Sequence, residues 1–307
     1  MEVHLSAQRF ICQSVTYHFL IMKHKSFILI VVLSLFIEVA LSPIRMFISF
    51  NASMLIGFVA YFGLSLFCFR KYSSKFSKGQ ILLALTTGLF VLHIPLKLID
   101  FDGSLISLPD SLFHFFGIII GFVFIKLPDY KKWVILGLST VLAIFMYFNG
   151  YSLWLHKLNF GTFSGNVNFT SPISISGYDQ NNQLITNKTF HNRIVVLDFW
   201  HTQCGVCFRK FPEVQKLYNK YGKDQAVLLF AINKPSKQDT IGQVFSMLKD
   251  RGYTFPVVVL TVDTIPQAYG VTHYPTTIII DKTGNIVFRG VIENAEKVID
   301  ELLKNGM

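Results

Sequence analysis

The chain has 307 residues, of which 51% are apolar and 31 are phenylalanine, and its formal net charge is +10. This length predicts roughly two domains, and the apolar excess lies before residue 150. After that point the net charge is only +4, with no basic stripe interleaved with aromatic residues. The composition therefore argues against a nucleic-acid-binding protein.

Five apolar segments alternate with short polar or basic connections in residues 1–150. With a few flanking residues, each reaches the roughly 17–25 residues that a bilayer-spanning helix needs. The segments are 27–41, 54–69, 81–98, 112–127 and 133–148. We therefore predict five transmembrane helices, with Asp110 as a cap of the fourth helix and Pro128 as its end.

Lys and Arg are concentrated in alternate connections. The second connection carries Arg70, Lys71, Lys75 and Lys78, whereas the first carries only Arg45. Because basic connections stay in the cytoplasm, we expect a multi-pass protein of the plasma (inner) membrane with a cytoplasmic N-terminus. The residues after 150 are then periplasmic or extracellular. No small-residue cleavage site follows the first segment, so we expect it to remain as a span.

Glu38, His93 and His114 fall within or near the predicted spans. An ionisable residue in a span is a functional hypothesis by default, but a position at the membrane interface is the favoured interpretation here. The spans contain no second pair of cysteines. We therefore expect the membrane half to anchor the protein or to dock a partner.

The chain divides into a cytoplasmic segment 1–25, a membrane domain 26–150, a linker 151–169 and a folded domain 170–307. In the last part, strand patterns alternate with helical periodicity, which is typical of an α/β layer architecture. The predicted strands are 173–175, 183–185, 194–199, 226–232, 257–260, 276–280 and 286–289. The predicted helices are 208–221, 239–251, 265–269 and 295–303. The last two strands form a hairpin across residues 281–284.

Cys204 and Cys207 stand two residues apart, between a predicted strand and a predicted helix. A helix N-terminus favours the thiolate through its partial positive charge and free N–H groups, and the thiolate is the nucleophile in thiol–disulfide exchange. Cys204 is expected to attack, with a pKa in the range of about 3.5–7.5. Cys207, one turn inside the helix, would resolve the mixed disulfide.

Two plainer interpretations of this pair stay open. It could form a structural disulfide, or it could supply half of a zinc site. Structural zinc takes four ligands, and the other cysteines, Cys12 and Cys68, lie in the predicted cytoplasmic segment and in the second span. The redox interpretation is therefore favoured, with no metal site and no cofactor beyond the Cys204–Cys207 pair.

Residues from about 170 to 307 resemble the thioredoxin fold, in particular the TlpA/ResA-like membrane-tethered thiol–disulfide oxidoreductases. The resemblance covers a little under half of the chain and implies a central mixed sheet flanked by helices. The residues that carry it are Val195-Val196-Leu197-Asp198-Phe199-Trp200, Cys204, Cys207, Pro212 and Tyr274-Pro275-Thr276-Thr277.

The resemblance implies roles for individual residues. Asp198 would accept the proton of Cys207, and burial would raise its pKa towards neutrality; an edge carboxylate that caps a backbone is the alternative. Pro275 is expected to follow a cis peptide bond opposite the cysteines. Tyr274, Pro275, Thr276 and Trp200 are the expected substrate-binding residues.

Three positions depart from the family pattern. Val206 replaces the proline common between the thiols, Gln203 replaces an aromatic residue, and Lys210 stands where many relatives carry glutamate. Mechanisms that use that glutamate are therefore not transferred, and the direction of electron flow stays open.

The predicted protein is thus a membrane-anchored enzyme that exchanges disulfides with extracytoplasmic protein substrates. The resemblance favours a reductase, with apocytochrome c among the candidate substrates and a membrane redox partner that recycles the cysteines. The alternative is a non-catalytic thioredoxin-like module, for binding or redox sensing, coupled to a membrane transport or signalling domain.

Overall fold

The computed structural model describes residues 2–170, 175–236 and 239–306, with side chains from His24 onward. The chain separates into two compact units, Met1–Ser152 and Leu153–Met307. The first unit is helical and the second contains one mixed sheet.

Six helices precede a π-helical turn, Met146–Gly150, that leads into α7, Tyr151–Phe160. The six are α1 Glu2–Phe47, α2 Phe50–Tyr72, α3 Lys78–Ile99, α4 Phe101–Ser104, α5 Leu108–Lys126 and α6 Asp129–Phe145. Within the described residues, five segments are long and apolar enough to cross a membrane, as predicted. They are His24–Phe47, Phe50–Tyr72, Lys78–Ile99, Phe101–Lys126 and Asp129–Phe160.

Helices α2 and α5 approach closely because α5 carries glycines where they meet. A Cβ at Gly117 would lie 2.5 Å from the backbone oxygen of Phe58, and one at Gly121 would lie 2.6 Å from Ser65 Cβ. Small residues at such positions allow helices to pack through van der Waals contact in a membrane, where the hydrophobic effect does not drive association. This contact places the buried face of α5 against the centre of the helical unit.

One prediction for this unit was wrong. Asp110 does not cap α5, which begins at Leu108 without a side-chain cap. The Asp110 carboxylate is instead buried and accepts a hydrogen bond from Arg45 Nε at 2.8 Å, because a buried carboxylate is stabilised by a cation. Glu38, His93 and His114 are also buried among the helices, at 0%, 6% and 0% exposed. Pro128 does follow the end of α5, as expected.

The predicted linker 151–169 contains regular structure instead. Helix α7 runs to Phe160, and strand β1, Asn166–Thr170, follows two tight turns. Gly161 and Gly165 adopt φ values of +77° and +88°, a region that glycine enters without steric cost. The glycines therefore form turns between defined elements.

The second unit contains an eight-stranded sheet in the order β1-β8-β7-β4-β5-β6-β2-β3. Strands β4, β5 and β6 are parallel, and every other pairing is antiparallel. The further strands are β2 Ser176–Tyr178, β3 Leu184–Thr186, β4 Ile194–Trp200, β5 Val227–Asn233, β6 Val257–Leu260, β7 Thr276–Ile280 and β8 Asn285–Gly290. The predicted hairpin is confirmed as β7–β8. Of the predicted strand 173–175, residues 173 and 174 lie outside the described residues.

Helices cover this sheet close to where periodicity placed them. They are α8 Gly205–Tyr221, α9 Ile241–Lys249, α10 Ile265–Ala268 and α11 Ala295–Lys304. Side chains of β4 alternate between two apolar clusters, as strand geometry requires. Val196 and Trp200 join the cluster that contains Phe211 of α8, whereas Val195 and Leu197 join the cluster on the opposite face. Asp198 therefore shares the face of Trp200 and of the cysteines.

Phe211 is the centre of the cluster under α8. It is fully buried, with ring centroids 5.1 Å from Trp200 and 5.5 Å from Phe255. We expect Phe211→Ala to lower the free energy of unfolding of the fragment 153–307 by about 3–5 kcal/mol, the cost of such a cavity. Urea denaturation measures this, and the exposed Phe163→Ala is the control. An equal, small effect of both changes would contradict the assigned core.

Candidate active site

The loop after β4 and the turn before β7 lie at the same edge of the sheet. Strands β4 and β7 are antiparallel, with Phe199 opposite Thr276, so the end of one strand meets the start of the other. The rings of His201 and Tyr274 pack edge to face across this edge, 5.1 Å apart. The fold therefore brings the cysteine loop next to the Tyr274–Pro275 turn, 70 residues later in the chain.

Cys204 and Cys207 form a disulfide at the start of α8. Cys204 occupies the N-cap position, where its Sγ accepts a hydrogen bond from the backbone N–H of Cys207 at 3.1 Å. Cys204 is 7% exposed and Cys207 is 0% exposed, while the neighbouring Val206 is 44% exposed. The outer sulfur is therefore the one that an incoming group can reach, beside a small apolar surface.

The peptide bond between Tyr274 and Pro275 is cis, as the resemblance implied. Both residues are partly exposed, so the turn presents them at the surface. The other two expected substrate-binding residues are not exposed. Thr276 is buried and donates a hydrogen bond to the carbonyl oxygen of His273 at 2.6 Å. Trp200 is fully buried against Phe211, so both side chains support the site from within.

Asp198 is 1% exposed and lies directly opposite Thr277 in the sheet. Its Oδ1 accepts a hydrogen bond from Thr277 Oγ1 at 2.8 Å, and no described residue hydrogen bonds to Oδ2. Burial raises the pKa of Asp198 to about 7, the charge of Glu293 adds to the rise, and the Thr277 bond opposes it. A carboxyl with this pKa takes up and releases a proton near neutral pH.

Glu293 is a site residue that the sequence analysis missed. It lies in the short helical turn Ile292–Asn294, just before α11, and forms an ion pair with Lys210 of α8. A carboxylate therefore reaches Lys210 from an element 83 residues later in the chain, and no local sequence pattern predicts it.

The charge of Glu293 raises the pKa of Asp198, and the hydrogen bond from the Thr277 hydroxyl lowers it. We expect Glu293→Gln to lower the pKa of Asp198, because a nearby negative charge is removed. We expect Thr277→Val to raise the same pKa, because the hydrogen bond to the charged form is lost. The pH dependence of the reaction rate of Cys207 should shift towards acid in the first variant and towards base in the second.

Glu296→Gln is the matched control for this pair of variants. Glu296 is also a carboxylate near the start of α11, but it pairs with Lys220, away from Asp198. Its removal should leave the pH profile unchanged. Shifts of the same sign in the Glu293 and Thr277 variants would contradict the assigned origin of the raised pKa.

The surroundings of His201 favour its neutral form. Burial lowers the pKa of its ring, and the nearby charge of Lys234 lowers it further, although Asp239 opposes the change. The contact of this ring with Tyr274 connects the cysteine loop to the cis-proline turn.

A mixed sheet of this order, a disulfide at a helix N-terminus and an adjacent cis-proline define a thioredoxin-fold thiol–disulfide oxidoreductase. The Redoxin family model matches residues 167–303. Thiol-disulfide oxidoreductase ResA of Halalkalibacterium halodurans is 30% identical over 126 residues, which cover 41% of this chain and 69% of that protein. ResA of Bacillus thuringiensis subsp. konkukian is 31% identical over 126 residues, 41% of this chain and 70% of the relative. The chain belongs to the ResA family of thiol–disulfide oxidoreductases.

Two solved structures are similar to the second unit. A thiol:disulfide interchange protein from Bacteroides sp. is 18% identical, with 46% of this chain and 92% of that chain covered and a TM-score of 0.40. StoA from Bacillus subtilis is 20% identical, with 42% and 98% covered and a TM-score of 0.37.

Proposed function

We propose that this enzyme is anchored in the membrane by its helical unit and reduces disulfides in extracytoplasmic proteins. The observation that carries the proposal is the Cys204–Cys207 disulfide at the start of α8, in a loop whose His201 packs against Tyr274 of the cis-proline turn. The reaction needs no cofactor beyond this pair, because the two sulfurs hold both electrons.

The first step is attack by the Cys204 thiolate on one sulfur of a partner disulfide. A new sulfur–sulfur bond forms between Cys204 and the partner, and the partner's own disulfide breaks. The partner's second sulfur leaves as a thiolate and takes a proton from water. The thiolate form of Cys204 is favoured because the first turn of α8 directs backbone N–H groups towards the sulfur.

The second step resolves the mixed disulfide. Asp198 accepts the proton of the Cys207 thiol, and the resulting thiolate attacks the sulfur of Cys204. The Cys204–Cys207 disulfide forms, the bond between Cys204 and the partner breaks, and the partner's first sulfur leaves as a thiolate that takes a proton from water. Two electrons have passed from the cysteine pair to the partner. Because Cys207 is buried, a buried base on the same face of the sheet is the group that can remove its proton.

Partner recognition rests on the exposed part of this edge. Val206 and Tyr274 supply apolar contact, and the Tyr274–Pro275 turn offers backbone groups to an extended partner segment. Apocytochrome c is the substrate that the ResA resemblance favours. A membrane protein with a dithiol would return the cysteines to the reduced state by the reverse sequence of steps.

The proposed orientation rests on charge. The connection between α2 and α3 is rich in Lys and Arg, which favours its retention in the cytoplasm. With five spans, the second unit then lies on the opposite side of the membrane from the N-terminus. Disulfide chemistry of protein substrates is sustained in that compartment.

Thiol labelling in intact cells tests direction and orientation together. We expect a membrane-impermeant maleimide to reach Cys204 without lysis, and most of the cysteine pair to be reduced in growing cells. Protection of Cys204 until the cells are lysed would contradict the orientation. A fully oxidised pair in growing cells would contradict the reductase direction.

A non-catalytic binding or redox-sensing module is the second candidate. Its support is the helical unit, which is larger than an anchor requires. Multiple-turnover reduction of insulin disulfides by the full chain, supplied with a chemical dithiol, distinguishes the two. The enzyme is expected to turn over, with Cys204→Ser as the inactive control. One round of reduction followed by no further turnover would favour the sensor.

A further inference from the structure

Five charged or titratable side chains meet inside the helical unit. Glu38 and Arg45 lie on α1, His93 lies on α3, and Asp110 and His114 lie on α5. All five lie within segments long enough to span a membrane. The four other than Arg45 are more than nine-tenths buried. Ionisable groups are costly inside a membrane protein and are retained there mainly where they serve a function.

Glu38 is the centre of this cluster. Its carboxylate accepts hydrogen bonds from Arg45 Nη2 at 2.5 Å, His114 Nδ1 at 2.7 Å and His93 Nε2 at 2.9 Å. Arg45 Nε donates to Asp110 Oδ2 at 2.8 Å. The guanidinium group therefore bridges the two buried carboxylates, which come from α1 and α5.

Both ring nitrogens of His114 face oxygen atoms that are hydrogen-bond acceptors. Nδ1 points at the carboxylate of Glu38. Nε2 lies 3.2 Å from the carbonyl oxygen of Ser53 on α2, and 3.3 Å from Asp110 Oδ1, an ion-pair contact. A neutral imidazole would place a lone pair against one of these oxygens, whereas an imidazolium donates on both sides. The surroundings of His114 therefore fit the protonated ring.

His93 has different surroundings. Its Nε2 donates to Glu38, and its Nδ1 lies 3.0 Å from the hydroxyl of Ser111, which also lies 3.1 Å from the carbonyl oxygen of Ser107. The hydroxyl can turn its one hydrogen towards the ring, so a neutral imidazole can satisfy both contacts of His93, whereas His114 faces acceptors on both sides. The geometry therefore places the extra proton of the cluster on His114.

The charges of the cluster balance only when that proton is present. Glu38 and Asp110 contribute two negative charges, Arg45 contributes one positive charge, and protonated His114 contributes the second. Tyr61 of α2, stacked on the His114 ring at 5.5 Å, adds no charge, and its hydroxyl donates to the carbonyl oxygen of Ser34. Loss of the proton would leave an unpaired buried charge, which is strongly unfavourable.

A divalent metal fits this balance less well, although Glu38, His93 and His114 bring ligand atoms within 4.8 Å of one another. A metal ion in place of the proton would give the cluster an excess charge of +1. It would also need the lone pair of His114 Nδ1, the atom that donates to Glu38. The charge count and the hydrogen bonds both favour a proton.

A cavity of about 390 Å³ in the same unit borders the cluster. Arg45 and His93 line this cavity together with Phe50, Lys97 and Asp100. The charges of Lys97 and Asp100 cancel, so they leave the balance of the cluster unchanged. The volume is sufficient for several water molecules, since each occupies about 30 Å³ in the liquid.

We propose that this cluster is a proton-binding site of the membrane domain. His114 holds one exchangeable proton between Glu38 and Asp110, and the proton exchanges with water in the adjoining cavity. The helical unit then does more than hold the enzyme in the membrane, because it has a protonated and a deprotonated state.

Nitrogen-15 NMR of histidine-labelled full chain in lipid bilayers tests this site directly. At pH 8, where an ordinary histidine with a pKa of about 6.5 is neutral, we expect one ring with protons on both nitrogens. This signal should disappear in His114→Asn and persist in His191→Asn, which removes an exposed histidine of the second unit. Only neutral rings in the unmodified protein at pH 8 would overturn the proposal.

Charge variants test the balance. Glu38→Gln and Asp110→Asn each remove one negative charge, so each should lose the doubly protonated signal at pH 8 although His114 is still present. Arg45→Gln removes a positive charge, so the doubly protonated signal should persist in this variant. Persistence of the signal in both acid variants would overturn the charge argument. Glu38→Asp should recover the signal, which separates a charge effect from misfolding.

Zinc titration of the same protein tests the competing ligand. We expect no stoichiometric binding of Zn²⁺ by the helical unit at neutral pH. Tight one-to-one binding that His93→Asn and His114→Asn both abolish would overturn the proton assignment and establish a metal site in its place.

Discussion

Cys207→Ser is expected to leave Cys204 covalently joined to its partner protein. Cys204 is the more exposed sulfur at the start of α8, so it is the atom that attacks. The resolving thiol is absent in this variant, and serine does not displace a sulfur from a mixed disulfide. Turnover should fall by at least about 10³-fold, since the second nucleophile, which resolves the mixed disulfide, is lost. Non-reducing electrophoresis of membranes measures the adduct, and its mass spectrum identifies the partner.

Cys204→Ser is the matched control for this trap. It removes the attacking sulfur and leaves Cys207 buried, so it should form no adduct and show the same loss of turnover. Adducts of equal abundance in the two variants would mean that either sulfur can attack, and the assignment of distinct roles would be wrong.

Asp198→Asn is expected to slow the second step while stabilising the fold. An amide cannot accept the proton of Cys207, and loss of a positioned base costs about 10²-fold or more in rate. In the unmodified enzyme the rate should rise with pH through about 7, where Asp198 ionises. The rate of the variant should lack this rise. Stopped-flow measurement of mixed-disulfide resolution between pH 5 and 9 gives both results.

The same substitution should raise the free energy of unfolding at high pH. The pKa of Asp198 is raised in the folded state. The contribution of its protonated form to the free energy of unfolding is therefore fully present below the unfolded pKa of 3.8 and is lost as the pH rises through about 7. At pH 8 this loss reaches up to about 4 kcal/mol, and Asp198→Asn avoids it. We therefore expect the variant fragment 153–307 to unfold at higher urea than the unmodified fragment at pH 8.

Asp250→Asn is the control for both measurements, since Asp250 is an exposed residue at the end of α9. It should change neither the rate nor the stability. A variant at Asp198 that is both slow and less stable at pH 8 would indicate a structural role for this carboxylate rather than proton transfer.

Local patterns predicted the elements of this fold, because hydrophobic period and turn residues are read from adjacent positions. The five apolar helices, strand β4, the β7–β8 hairpin and helix α11 all follow from such patterns. The redox role of the cysteine pair was predicted from its position between a predicted strand and a predicted helix. The cis bond before Pro275 came from the family resemblance, since composition does not determine an isomer.

Contacts between distant residues were not predictable in this way. Glu38 and His114 are 76 positions apart, and they meet because α1 and α5 both pack against α2 and α3. Each looked like a residue near a helix end because a single span shows no partner for it. Glu293 was missed for the same reason. Trp200 was expected to bind substrate, but a position beside the motif does not show which face of the strand the side chain takes.

Gly57 of α2 has a consequence for how this protein can change during evolution. The His114 ring occupies the volume where any side-chain carbon at position 57 would lie. Every mutation of a glycine codon to another amino acid adds at least that carbon, so no small step is available at this position. A neutral-looking change such as Gly57→Ala would displace the ring from both carboxylates. An uncharged position is therefore as constrained as the acids it adjoins.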